Sequence, residues 1–78
     1  MSKWEKLMAK LKSLSPDLRF EELEKILLSY GYEERQPKGG SSHYVFRKGN
    51  KTIVIPRHKP ILKVYIELVR DAVEEEEL

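Results

Sequence analysis

Two histidines, His43 and His58, stand inside a stretch, 35–63, that carries Arg35, Lys38, Arg47, Lys48, Lys51, Arg57, Lys59 and Lys63 and no acidic residue. Imidazoles among cations narrow the chemistry. Metal catalysis is poorly served, because the stretch holds no carboxylate and the histidines lack the HxxxH or HExxH spacing of a zinc site. No nucleophile elbow marks a serine, although a Ser-His-Asp triad assembled in space stays open. Gly39-Gly40-Ser41-Ser42 lacks the spacing and the following helix of a phosphate-binding loop. The chemistry that suits these residues is metal-independent cleavage of an RNA phosphodiester. The substrate's own 2′-OH is the nucleophile, an imidazole titrating near neutrality takes its proton, and cations stabilise the charge on the phosphorane. The plain alternative is a surface histidine on a solvated basic face.

The elements that would hold these residues read as α-α-β-β-β-α. Trp4, Leu7, Met8, Leu11 and Leu14 recur at helical spacing, Ser2 with Glu5 fits a capping box, and Ser15-Pro16 closes the helix. Phe20, Leu23, Ile26, Leu27 and Tyr30 form the apolar face of a second helix, with Gly31 at the left-handed C-cap position. The period then changes to two. Tyr32 to Gln36 reads as a short edge strand, 37–42 as a loop, and His43 to Arg47 and Thr52 to Ile55 as a hairpin turning at Lys48-Gly49-Asn50-Lys51. Tyr44 and Phe46 share the expected core face, which leaves His43, Val45 and Arg47 on the other. A last helix is expected over Ile61 to Glu75, with Pro60 in its first turn and an inner stripe of Ile61, Tyr65, Leu68 and Ala72 widened by Val64 and Val69. Glu74 to Glu77 oppose the helix dipole, so this end is expected to fray into a solvated tail. Three short antiparallel strands cannot bury both faces, so the helices should cover one and leave the other open.

At 78 residues the chain makes one domain, and with no cysteine its core must hold without disulfides. Hydrophobic residues at 40% and charged residues at 36% exclude a disordered tract, and no apolar run approaches the length of a membrane span. The expectation is a soluble cytoplasmic protein with no cofactor and no metal. Net charge is only +2, but it is segregated: the basic stretch lies between acidic segments at 20–34 and 64–78. Such a block is an address for a polyanion.

Phe20-Glu21-Glu22-Leu23 through Gly31-Tyr32, then Gly39-Gly40-Ser41-Ser42-His43-Tyr44-Val45-Phe46, then Thr52-Ile53-Val54-Ile55-Pro56-Arg57-His58 and a closing helix together resemble the HicA family of toxins from toxin–antitoxin systems. The resemblance covers about residues 20–75, leaving 1–16 as an additional N-terminal helix and 76–78 as a frayed acidic tail. It implies an α+β domain similar to the double-stranded-RNA-binding fold, with helices on one face of a three-stranded antiparallel sheet. It also implies a toxin that cleaves mRNA and is neutralised by a HicB-like antitoxin. The family's glycine-serine-histidine motif puts the catalytic histidine at His43, in a loop shaped by Gly40, Ser41 and Ser42. Two serines precede it, where many family members have one. Lys38, Arg47, Lys48, Arg57 and Lys59 are then expected as phosphate contacts, and His58 either joins them or anchors its loop. The protein would be a monomer by itself or bound to its antitoxin. Two other readings use the same basic surface: a non-catalytic RNA-binding module, and a domain whose basic loop meets an acidic protein partner.

Overall fold

The computed structural model describes residues 2–36, 42–57 and 60–77. It is an α+β fold in the order α1 (Lys3–Lys12), α2 (Phe20–Ser29), β1 (Glu33–Arg35), β2 (His43–Lys48), β3 (Lys51–Pro56) and α3 (Lys63–Glu76). The strands form one antiparallel sheet in the order β1-β2-β3.

Local chemistry sets most boundaries. Ser2 Oγ accepts from the Glu5 amide at 3.1 Å and starts α1. The chain leaves α1 through Leu14, held at φ 56°. The Arg19 amide donates to Glu22 Oε1 at 3.0 Å at the start of α2. α2 ends in a Schellman motif: Tyr32 N donates to Leu27 O and Gly31 N to Leu28 O, both at 3.1 Å, with Gly31 at φ 93°. Glycine is required there because a side chain strains that backbone conformation. Gly49, at φ 58°, fills the first position of the two-residue turn that joins β2 to β3.

One core runs through the whole fold. Phe46, Ile53 and Ile55 on the sheet meet Leu23, Ile26 and Leu27 of α2, Ile66, Val69 and Val73 of α3, and Leu7 and Leu11 of α1. The expected face division of β2 holds: Phe46 is fully buried, Tyr44 packs against the core, and His43 and Arg47 are exposed.

α3 departs from expectation in three ways. It starts at Lys63 with Leu62 as its N-cap, so Pro60 precedes the helix instead of filling its first turn. Its buried stripe is Ile66, Val69, Ala72 and Val73, while Val64 and Leu68 are exposed and Tyr65 is half-buried. Of the expected stripe, Ile61, Val69 and Ala72 are buried and Tyr65 packs against the core, while the neighbouring elements cover Ile66 and Val73 in place of Val64 and Leu68. Its acidic end is exposed, as expected, but is helical through Glu76 and ion-paired. Glu76 pairs with Lys48 (2.9 Å) and Lys51 (3.6 Å), Glu75 with Lys51 (3.4 Å), and Glu77 with Lys12 (3.4 Å). These cations come from the β2–β3 hairpin and α1, and they offset the unfavourable dipole.

Candidate functional site

Strand alternation decides which side chains can act together. The helix-free face of the sheet carries Glu33 and Arg35 from β1, His43, Val45 and Arg47 from β2, and Thr52 and Val54 from β3. Register aligns Glu33 with Arg47 and Thr52, Arg35 with Val45 and Val54, and His43 with Pro56. His43 is exposed at the first position of β2. Its end of the strand pair is closed by a backbone hydrogen bond from Arg57 N to Ser42 O at 2.8 Å.

The other expected site residues divide. Arg47 shares the face of His43, four residues along the same strand. Arg57 is next to His43 through the backbone, but its guanidinium lies on the helix side. It sits 5.5 Å from the centroid of the Phe20 ring and donates to Glu21 Oε1 at 3.2 Å. Hydrogen bonds to Tyr44 and Glu21 reinforce its charged form. Lys48 also points to the helix side, at the far end of the strand. Its Nζ donates to the Tyr30 carbonyl at 2.6 Å, pairs with Glu76, and lies 5.8 Å from the centroid of the Tyr32 ring. Lys48 and Arg57 thus both engage groups on the helix side of the sheet. Lys38, Gly40, Ser41, His58 and Lys59 lie outside the described residues.

Arg35 joins Arg47 on the helix-free face, although nothing in its residue type or sequence position singles it out. It lines a hollow of about 280 Å³ together with Arg47, Glu33, Lys48, Gly31 and Gly49. Period two along Tyr32–Gln36 already puts Arg35 on one face, but only the β1–β2 register reveals that this is the face of His43 and Arg47. Arg47 makes no ion pair among the described residues, and Arg35 meets only Glu33 at 3.9 Å, with both side chains mostly exposed.

Beneath the sheet, Glu34 projects toward the helices. Its carboxyl meets Glu24 of α2, and its Oε2 is buried with no hydrogen-bond partner among the described residues. Burial, with Glu24 adding to it, pushes its pKa up to about 7, against a lowering pull from Arg57. No group of three or more His, Asp or Glu side chains among the described residues is arranged to hold a metal ion. None of the described helices is long and apolar enough to cross a membrane.

A small α+β domain with a histidine at the mouth of a one-sided sheet is the class these features define. A family model described as the HicA toxin of bacterial toxin–antitoxin systems matches residues 20–68, which span α2, the whole sheet and the first part of α3. The chain belongs to the HicA toxin family, so it is a toxin-type component that works with an antitoxin. No curated protein and no solved structure matches it. α1 precedes the matched segment but contributes Leu7 and Leu11 to the same core.

Proposed function

We propose that this toxin is a metal-independent endoribonuclease that cleaves mRNA, with His43 as its general acid/base and a HicB-like antitoxin as its inhibitor. The observation that carries the reading is the exposed His43, inside the family-matched segment, on the same open face as Arg47. The His43 imidazole accepts the proton of a ribose 2′-OH as that oxygen attacks the adjacent phosphorus. The new O2′–P bond forms and the P–O5′ bond breaks, leaving a 2′,3′-cyclic phosphate. The departing 5′-oxygen takes a proton from the imidazolium or from water. Cations near the phosphate offset the negative charge of the phosphorane. Residues 37–41 and 58–59 flank this end of the sheet in sequence, so Lys38, Gly40, Ser41, Ser42, His58 and Lys59 belong to the same proposal as substrate contacts.

The test compares wild type with His43→Ala on single-stranded RNA in the presence of a chelator. Wild type should produce fragments with cyclic phosphate ends. The variant should lose about 100-fold or more of the rate, with an unchanged circular dichroism spectrum and retained RNA affinity. Parental cleavage by the variant removes His43 from the mechanism. Intact RNA after binding to wild type identifies a non-catalytic RNA-binding module instead.

A further inference from the structure

The ribonuclease reading leaves open how the substrate lies. Resting on that reading, we propose that a single RNA strand runs along the open face of the sheet, from His43 across Val45 and Val54 to an anchoring phosphate held by Arg35 and Arg47.

Three observations support this path. The first is the state of the cations. Lys48, Lys51 and Arg57 are tied to carboxylates of α3 and α2 on the helix side. Arg47 has no ion pair among the described residues. The Arg35–Glu33 contact, at 3.9 Å between side chains 65% and 78% exposed, is of the kind that contributes little and yields readily to a phosphate. Two guanidiniums with fork geometry can together clamp one phosphate.

The second observation is shape. Arg35 and Arg47 border the same hollow, and its volume of about 280 Å³ suits a phosphate with part of its sugar. Between the hollow and His43, Val45 pairs directly with Val54, which is 38% exposed. This gives an aliphatic floor on which a base can rest without being read by hydrogen bonds.

The third observation is size. His43 and Arg47 are four residues apart on one strand, about 13 Å at the usual rise per residue. A few nucleotides of a single strand cover that span. Readers of double-stranded RNA engage about 16 base pairs across two minor grooves, which this strip cannot reach.

The test uses the His43→Ala protein, so that binding is read without cleavage, and adds Arg35→Ala together with Arg47→Ala. A labelled 12-mer RNA is titrated by fluorescence anisotropy, as a single strand and annealed to its complement. Both arginines are exposed, so the fold should survive their removal, as circular dichroism would verify. The double substitution should weaken single-strand binding about tenfold or more, and the parent should bind the single strand more tightly than the duplex. An affinity within twofold of the parent, or equal binding of duplex, overturns the path. Loss of binding that polyglutamate competes for as well as RNA does also overturns it, in favour of an acidic protein. If wild type cleaves RNA and His43→Ala does not, a neutral result for the arginines sinks only this path. If wild type neither binds nor cleaves, the ribonuclease reading falls with it.

Discussion

Glu34 is the residue at which this small protein works against itself. Its carboxyl titrates near 4.5 in an unfolded chain and at about 7 in the fold, because burial and Glu24 disfavour its charge. Between these values the folded state binds more protons than the unfolded one. Stability therefore falls as pH rises through that window and stays at the lower level above it. Glu34→Gln should raise stability by about 1 kcal/mol or more at pH 8 and by little at pH 4.5, read from urea unfolding at the two pH values. Identical pH profiles for parent and variant would show that the carboxyl is well solvated in the fold. His43 gives the opposite lesson. The histidine's strand and strand face, shared with Arg47, were legible, because period-two alternation decides them locally. Arg35 was not, because its place beside Arg47 depends on how β1 registers with β2, and that is a long-range fact.

Between elements, the connection that matters most joins the β2–β3 hairpin to the two ends it packs against. Lys48 Nζ satisfies the Tyr30 carbonyl at the C-cap of α2 and pairs with Glu76 at the end of α3. The Lys48 hydrogen bond also holds the Glu76 carboxyl below its ordinary range. That pair adds stability at neutral pH, and the contribution is lost as pH falls through the acid range. Lys48→Met keeps the side chain's bulk and removes both polar contacts. It should cost about 1–2 kcal/mol near pH 7 and less at pH 3, as measured by urea unfolding. An unchanged midpoint at pH 7 would mean that water replaces the lysine without loss. The same element scale shows where sequence reading stops. The hairpin, the Schellman glycine and the serine cap were readable because each is a local conformational demand. The centre of the buried stripe of α3 was only partly readable, because its apolar residues form a broad arc and the neighbouring elements select which part of that arc is covered. Period two does put Lys48 with Phe46 and Arg57 with Ile55, on the helix side. The direction of both cations is thus legible from alternation, which divides the basic stretch between the two faces of the sheet.

At the scale of the molecule, segregation of charge along the chain becomes neutralisation in space. Carboxylates from 20–34 and 64–78 fold back onto the basic stretch between them. The end of α3, which dipole arguments mark as a liability, becomes a resident counter-anion for the hairpin. In the proposed RNA complex, Lys48, Lys51 and Arg57 have few small ions to give up, since protein carboxylates already pair with them. If all eight cations of residues 35–63 took phosphates of a single strand, the logarithm of affinity would fall against the logarithm of salt with a slope of about −5.6. With those three withheld, titrations of His43→Ala between 50 and 200 mM salt should give a slope no steeper than about −3.5. A slope near the larger value would mean that RNA prises these pairs apart. With the three pairs kept closed, the proposed complex would release few ions on forming and would therefore weaken only modestly between low and ordinary ionic strength.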